Sequence, residues 1–247
     1  MPRWLSVLLL ATLGLNGTPV SADTLRIAVA SNFAHAMQAL GDRFEADSRH
    51  SLTVSLGSTG KHFAQITNGA PFDIFLAADA ERPARLEREG RIVIDSRFTY
   101  AIGRLAIWAP PHSRMDLPAD LTRDEVARVA IANPRLAPYG RAAHETLKAL
   151  GLWTAIEQKL VRGENIAQAF QFVFTGNADS GLIAQAQLAA LSTEISGTVW
   201  EVPAELHAPI VQQAVLLRDS KAARAFLAFL RTETARAIIT SAGYEAP

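Results

Sequence analysis

Short apolar segments alternate with amphipathic segments along the chain, and this alternation restricts the possible folds more than any other feature of the sequence. Thr24–Ala30, Ser51–Gly57 and Phe72–Asp79 are predicted strands, and the apolar residues Ile27–Ala30 in the first have the character of a buried one. A helical segment follows the first strand as far as Ala46, and another begins near Lys61 after the second. Strands separated by helices are typical of parallel sheets with helices on their faces. The sequence therefore predicts an α/β fold.

The rest of the chain continues this pattern without an internal repeat, a low-complexity segment or a flexible linker. Two lobes then require the chain to cross between them more than once, and Phe98–Gly103 and Ala204–Val211 are candidate crossings. The further predicted strands are Arg104–Pro111, Arg128–Pro134, Ser180–Ala184, Thr198–Pro203 and Ile210–Arg218, and the further predicted helices are Arg141–Leu150, Glu164–Phe174, Ala222–Arg231 and Thr234–Ala242.

The N-terminal segment has the order of features found in a secretory signal peptide. Arg3 gives a short positive start, and Trp4–Leu15 is an apolar run too short to span a bilayer. Small residues then end at Ala22, after which we predict cleavage, with an uncleaved anchor as the alternative. The chain has no cysteine, so it has neither a disulfide framework nor a cysteine that could carry a lipid. The predicted location is the periplasm.

Composition and motifs argue against several classes of function. The chain has 24 basic and 24 acidic residues, whereas nucleic acids and anionic membranes attract proteins with a basic excess. The histidines are not spaced as metal ligands, and the motifs of serine hydrolases and dinucleotide-binding folds are absent. Gly57–His62 contains Gly-Lys but lacks the spacing of a phosphate loop. We expect no enzyme activity, cofactor, metal ligands or nucleic-acid partner; a hydrolase with a dispersed triad is the open alternative.

Four strand-to-helix junctions share small, hydroxyl or amide residues: Ala30–Ala34, Gly57–His62, Asn133–Ala143 and Gly163–Ala169. Ligands of open α/β sheets bind beyond the carboxyl ends of the strands, where helices begin. A helix start has N–H groups without intrahelical partners and about half a positive charge, so it favours an anion. Each junction alone is equally explained by helix capping. Together, four converging junctions would bind a compact oxyanion without a formal counter-charge.

Three of these junctions lie within longer segments that carry a family resemblance. The segments are Ala28–Leu40, Ser55–Gly90, Ser96–Ala109, Ile131–Gly151 and Pro209–Leu217, and Gln65–Glu81 is the most specific stretch. In their order and spacing, they resemble the periplasmic molybdate-binding proteins of ATP-driven importers, which are type II periplasmic binding proteins, over nearly the whole chain.

The resemblance implies a two-lobed periplasmic-binding-protein fold, in which each lobe is a mostly parallel sheet flanked by helices and the chain crosses twice. After a signal peptide at 1–22, the expected bounds are 23–102 for the first lobe, 103–206 for the second lobe and 207–247 for the return to the first. The implied function is capture of molybdate, and of tungstate, in the cleft by a monomer that delivers the anion to an inner-membrane ABC permease. Another small oxyanion, such as sulfate or phosphate, is the alternative ligand.

The resemblance also implies five ligand-binding residues. Ser31 would contribute its hydroxyl and backbone N–H, and Asn32 a side-chain or backbone N–H. Thr59 holds the position of a hydroxyl residue after the second strand, and Tyr139 that of a tyrosine hydroxyl in the third junction. Ile166 would contribute its backbone N–H while its side chain packs in the core. Which of Ser31 and Asn32 caps the helix and which binds stays open.

The sequence departs from the family pattern at three positions. Ala184 stands where another branch of the family has a tyrosine shortly after its strand, so that position cannot supply a hydroxyl. Lys61 and His62 are unusual beside an uncharged oxyanion site. Helix geometry could direct both side chains away from the cleft, and inward-facing side chains would alter selectivity.

Overall fold

The computed structural model describes residues 23–116, 118–191 and 197–247. The predicted signal peptide at 1–22 lies outside these residues. The strands in chain order are β1 (Thr24–Ala30), β2 (Ser51–Gly57), β3 (Ile74–Ala77), β4 (Phe98–Gly103), β5 (Leu105–Ala109), β6 (Val129–Ala132), β7 (Leu160–Gly163), β8 (Ser180–Ala184), β9 (Thr198–Glu201) and β10 (Ile210–Leu216).

The helices cover both faces of the sheets that these strands form. A 3-10 turn, Ser31–Phe33, leads directly into the first helix. None of the described helices is both long enough and apolar enough to span a lipid bilayer. The α-helices in chain order are α1 (Ala34–Asp47), α2 (Thr59–Thr67), α3 (Glu81–Arg88), α4 (Pro138–Ala149), α5 (Trp153–Ile156), α6 (Ile166–Phe174), α7 (Gln185–Ala189), α8 (Lys221–Leu230) and α9 (Glu233–Ser241).

The described strands form two five-stranded sheets, one in each lobe. The first has the order β2-β1-β3-β10-β4 and the second the order β7-β6-β8-β5-β9. In each sheet the first three strands pair in parallel, whereas the strands next to the crossings pair antiparallel, so both sheets are mixed. The parallel strands place their following helix starts at the same edge of the sheet, facing the other lobe.

The chain crosses between the sheets twice. It leaves the first sheet at the end of β4, with only Arg104 before β5 begins, and it returns between Glu201 and Ile210. The predicted two-lobed α/β architecture with two crossings is confirmed. Of the two candidate crossing segments, Phe98–Gly103 is itself a strand of the first sheet that ends just before the crossing, and Ala204–Val211 covers most of the return.

Each sheet is packed between apolar helix faces. On the first lobe, Phe33, Met37 and Phe226 belong to a cluster on one face of the sheet, and Ile66 and Leu86 to a cluster on the other. The second lobe has a single large cluster. That cluster also includes two alanines at strand ends of the first lobe, Ala30 and Ala78. The lobes therefore share apolar contacts beside the cleft.

Several predicted boundaries differ from the structure at helix starts. The second helix begins at Thr59 instead of near Lys61, and the fourth at Pro138 instead of Arg141. Proline is favoured at the first helical position because its missing N–H has no intrahelical partner there. The earlier start places Tyr139 in the first turn of α4, which is decisive for its position at the cleft.

Candidate functional site

A small cavity lies between the lobes where four helices begin. Both lobes contribute to its wall, and the wall contains no charged side chain. All five residues expected from the sequence line it. The lining residues are Ala30, Ser31, Asn32, Gly57, Ser58, Thr59, Ala78, Ala137, Pro138, Tyr139, Asn165 and Ile166.

The start of α2 lines the cavity and has one unpaired backbone N–H. Ser58 caps this helix, because its Oγ accepts from the Lys61 N–H at 3.3 Å and its carbonyl accepts from the His62 N–H at 3.1 Å. The Gly60 N–H donates across the cleft to the Leu136 carbonyl at 2.8 Å. Among the described residues, the Thr59 N–H alone in this first turn is left without an acceptor. It is therefore available to a ligand.

The side chain of Thr59 is held in place from behind. Its Oγ1 accepts a hydrogen bond from the Ala78 N–H at 3.0 Å, and the residue is almost fully buried. A hydroxyl that accepts one hydrogen bond still has its own proton to donate. The Thr59 position therefore offers two donors, its N–H and its hydroxyl.

The start of α6 on the second lobe repeats this arrangement. Asn165 caps the helix through its side-chain oxygen, which accepts from the Gln168 N–H at 3.1 Å, while its carbonyl accepts from the Ala169 N–H at 3.2 Å. The Ala167 N–H donates across the cleft to Ser31 Oγ at 3.4 Å. Within the described part of the chain, this leaves only the Ile166 N–H of the first turn without an acceptor.

At the first junction, neither the Ser31 side chain nor the Asn32 side chain caps the helix. The Asn32 amide donates both of its hydrogens behind the cavity, to Gln212 Oε1 at 2.9 Å and to Tyr244 Oη at 3.1 Å. Its remaining donor toward the cavity is the backbone N–H. Ser31 Oγ already accepts from Ala167, so its hydroxyl proton is free to be donated.

The third junction places a tyrosine hydroxyl at the cavity. Tyr139 is 1% exposed, and its Oη accepts from Gln212 Nε2 at 3.4 Å. Burial raises the pKa of the Tyr139 phenol well above its ordinary value of 10, and the nearby Tyr244 and Tyr100 raise it further, against the opposing effect of the Gln212 hydrogen bond. The phenol therefore stays protonated and neutral at physiological pH.

Lys61 and His62 both point away from the cavity. Lys61 Nζ forms an ion pair with Glu164 Oε1 at 2.8 Å, and both side chains remain about half exposed at the rim. His62 is buried inside the first lobe, where its Nε2 lies 3.1 Å from the Val29 carbonyl. Burial, the largest effect, lowers the pKa of the His62 imidazole below 6.5. The cavity wall is therefore free of both positive charges.

Further polar contacts bridge the lobes around the rim. Arg141 of α4 pairs with Glu81 of α3 at 2.8 Å. Arg82, which also pairs with Asp79, donates to the Arg135 carbonyl at 3.3 Å. Together with the Lys61–Glu164 pair, these contacts join the lobes on the solvent side of the cavity. The described residues thus form a closed interlobe cleft.

This arrangement suits a small anion that accepts hydrogen bonds. N–H groups at helix starts and neutral hydroxyls are donors, and they act more strongly where water is excluded. Within the described ranges, no group of three His, Asp or Glu side chains is arranged to hold a metal ion.

Two lobes that meet over a shared cavity at the starts of four helices define the architecture of a solute-binding protein. The chain belongs to the family of bacterial extracellular solute-binding proteins, whose sequence profile matches residues 25–245. The resemblance to periplasmic molybdate-binding proteins drawn from the sequence is confirmed by the individual relatives.

Two relatives are more than 40% identical to the chain over the aligned residues. The molybdate-binding protein ModA of Azotobacter vinelandii is 43% identical over 235 residues, which is 94% of this chain and 93% of that protein. ModA of Rhodobacter capsulatus is 41% identical over 229 residues, covering 92% and 90%. The solved structure of the Azotobacter vinelandii periplasmic molybdate-binding protein has a TM-score of 0.85 at 35% identity, covering 90% of this chain and 99% of that one.

Sequence reasoning missed the buried polar residues behind the cavity. Gln212 and Tyr100 lie on adjacent strands of the first sheet, and Tyr244 lies near the C-terminus. All three are buried. A glutamine inside the apolar strand segment Ile210–Leu216 was the available signal, because a buried amide needs hydrogen-bond partners.

Proposed function

We propose that the protein captures molybdate, and tungstate as well, in the interlobe cavity and delivers it to an inner-membrane ABC permease. Relatives more than 40% identical over nine-tenths of the chain are molybdate-binding proteins by name. The proposal assigns ligand contacts to Ser31, Asn32, Thr59, Tyr139 and Ile166. For Asn32 the contact is through the backbone N–H, since both amide hydrogens are used elsewhere.

The observation that carries this proposal is the inventory of donors at the helix starts. In the first turns of α2 and α6, every other N–H group has a partner within the described chain, and the Thr59 and Ile166 groups at the cavity do not. Each hydrogen bond to a charged group contributes about 1.5–3 kcal/mol. Several such hydrogen bonds would therefore offset part of the free-energy cost of ordering the ligand and closing the lobes.

Selectivity would arise from two properties of the cavity. Molybdate, tungstate and sulfate are all tetrahedral dianions, so size is what distinguishes the first two from sulfate. Phosphate carries a proton near neutral pH, and that proton requires an acceptor. A cavity lined by donors disfavours it, because an unsatisfied buried polar group costs about 1–3 kcal/mol.

The remaining parts of the proposal concern the protein in the cell. We propose a periplasmic monomer that is exported by a signal peptide cleaved after Ala22. Its lobes would comprise residues 23–102 with 207–247, and 103–206. The closed form, with its rim contacts Lys61–Glu164 and Arg141–Glu81, would be the form that the permease recognises. The protein would bind its ligand without turning it over.

Isothermal titration calorimetry of residues 23–247 with molybdate, tungstate, sulfate and phosphate tests the proposal. We expect 1:1 binding of molybdate and tungstate at least about tenfold tighter than that of sulfate or phosphate, a difference of about 1.4 kcal/mol or more. Preference for sulfate or phosphate would contradict the proposed ligand. Turnover of acyl or phosphoryl esters that is lost in Ser31→Ala or Thr59→Ala would indicate a hydrolase instead.

A further inference from the structure

A chain of buried hydrogen bonds connects the C-terminal segment of the first lobe to the tyrosine of the second. It passes from the Asn32 carbonyl through Tyr244, the Asn32 amide and Gln212 to Tyr139. Gln212 is fully buried, and Tyr244 is 5% exposed. Neither residue lines the cavity. Of the members of this hydrogen-bond chain, only Asn32 and Tyr139 line the cavity, and only Tyr139 offers a side-chain hydroxyl there.

The Asn32 carbonyl determines which group donates and which accepts along this series of hydrogen bonds. A backbone carbonyl can only accept, so the Tyr244 hydroxyl must donate to the Asn32 carbonyl, from which it lies 2.7 Å. With its proton committed, Tyr244 Oη accepts from the Asn32 amide nitrogen at 3.1 Å. This contact fixes which end of the Asn32 side chain is the NH₂ group.

The same logic then orients Gln212. The second hydrogen of the Asn32 amide points to Gln212 Oε1 at 2.9 Å, and the Tyr100 hydroxyl lies 3.1 Å from the same oxygen. The oxygen end of Gln212 therefore faces these two groups, and its nitrogen end faces Tyr139 Oη at 3.4 Å. An amide nitrogen only donates, so the Tyr139 oxygen accepts.

We propose that Gln212 is a positioning residue for selectivity: by donating to Tyr139 Oη, it forces the Tyr139 hydroxyl to present its proton, and not a lone pair, to the ligand. This inference rests on the proposed function and deepens it. A hydroxyl on its own can donate or accept and would tolerate either kind of anion. With one lone pair engaged by Gln212 and its proton still in need of an acceptor, Tyr139 favours an anion that only accepts over one that carries a proton.

The test uses two substitutions at Gln212 and the same two at its neighbour. Gln212→Glu replaces the NH₂ donor with an oxygen that accepts the Tyr139 proton, which turns a Tyr139 lone pair toward the cavity. Gln212→Met removes the donor without introducing a charge and frees the hydroxyl to accept. Gln213→Glu and Gln213→Met are matched controls, because Gln213 contacts Arg97 and Thr99 and has no part in this chain.

The readout is the ratio of phosphate affinity to sulfate affinity at pH 8, measured by calorimetry with molybdate titrated in parallel. At this pH phosphate is mainly a dianion with one proton, and sulfate is a dianion with none, so charge effects common to all dianions cancel in the ratio. We expect the ratio to rise about fivefold to tenfold in both Gln212 variants and to stay within twofold in both Gln213 controls. Thermal unfolding checks that each variant is folded.

Results that contradict the proposed function differ from results that contradict only the role of Gln212. A wild-type protein that binds no molybdate contradicts the proposed function, and with it this inference. Molybdate binding by the wild type, with an unchanged phosphate-to-sulfate ratio in the folded Gln212 variants, contradicts only the role of Gln212. An equal loss of affinity for all three anions assigns Gln212 to structural support alone and also overturns the inference. If Gln212→Glu does not fold, Gln212→Met gives the same decision.

Discussion

The side-chain oxygen of Ser31 on the first lobe accepts a hydrogen bond from the backbone N–H of Ala167 on the second, across 3.4 Å of the cleft. One residue thus has two functions in the closed form. Its oxygen ties the lobes together at the start of α6, and its proton remains available to a ligand in the cavity. The proposed ligand contact of Ser31 would therefore couple ligand binding to lobe closure at this side chain.

Substitution of Ser31 by alanine should weaken molybdate binding more than it weakens the fold. The variant loses one hydrogen bond to a charged ligand, and such a bond contributes about 1.5–3 kcal/mol. That energy corresponds to roughly a 10- to 150-fold loss of affinity. Calorimetry measures this loss, and Ser241→Ala on the exposed end of α9 is the control. Wild-type affinity in a folded Ser31→Ala protein would remove Ser31 from the site.

Substitutions of Thr59 should change both the stability of the protein and its affinity for molybdate, and the two effects can be measured separately. Thr59→Val removes the acceptor of the buried Ala78 N–H, so we expect about 1–3 kcal/mol less stability, together with at least about tenfold weaker molybdate binding. Thr59→Ser keeps the hydroxyl and should keep most of both properties. Chemical denaturation and calorimetry on the two variants provide the measurements. Equal binding by Thr59→Val and Thr59→Ser would contradict a ligand contact by this hydroxyl.

Gly103 at the crossing between the lobes should not accept a side chain. A Cβ atom at this position would overlap the Tyr139 hydroxyl and lie 2.9 Å from Gln212 Nε2. Because Tyr139 is buried and cannot move aside easily, we expect Gly103→Ala to lower both the melting temperature and molybdate affinity.

Gly41 in α1 provides the matched control for Gly103. A Cβ atom there would lie 3.5 Å from Leu52 Cδ1, which is an ordinary contact. Gly41→Ala should stabilise the protein by about 0.5–1 kcal/mol, because alanine is the better helix former. A Gly103→Ala variant as stable and as active in binding as wild type would show that Tyr139 is less tightly held than the structure indicates.

His62 should make the protein less stable in mild acid. Burial lowers the pKa of the folded imidazole below 6.5, so the unfolded chain binds this proton more readily than the folded chain. The free energy of unfolding therefore decreases as the pH falls through 6.5 toward the folded-state pKa. Above pH 6.5 the imidazole is neutral in both states, so His62 causes no pH-dependent loss of stability there. Melting temperatures between pH 5 and 8 should show a shallower acid decline in His62→Gln than in wild type.

The exposed His35 is the control for this effect, and His35→Gln should keep the wild-type decline. Both variants retain the carboxylates whose titration also contributes to the slope, so the difference between them isolates the buried imidazole. Identical slopes in wild type and His62→Gln would mean that His62 titrates equally in the folded and unfolded chains.

The sequence predicted those parts of the fold that depend on local pattern. The bounds of β1 and β2 agree with the predicted strands to the residue. The strand Leu160–Gly163 was missed: its sequence is short, and half-buried or exposed positions interrupt the apolar pattern. The prediction was least accurate at helix starts such as that of α4, where Pro138 was the unused signal.

Five of the residues that line the candidate cavity were named from the sequence, but the contacts that support them were not. Helix starts after apolar strands are recognisable in a sequence, and the family resemblance assigned five of their residues. The contact between Asn32 and Gln212 joins residues 180 positions apart and depends on sheet order alone. The directions of Lys61 and His62 likewise depend on which helix face meets the second lobe, so they required the folded chain.

A crystal structure of residues 23–247 with tungstate tests the central claim most directly, because tungsten is located independently of the protein by its anomalous scattering. We predict one strong peak in the cavity between the lobes, with ligand oxygens within hydrogen-bond distance of the Thr59 and Ile166 N–H groups and of the Ser31 and Tyr139 hydroxyls. A peak at the Lys61–Glu164 rim or elsewhere on the surface, or no peak in the cavity at saturating tungstate, would contradict the proposed site.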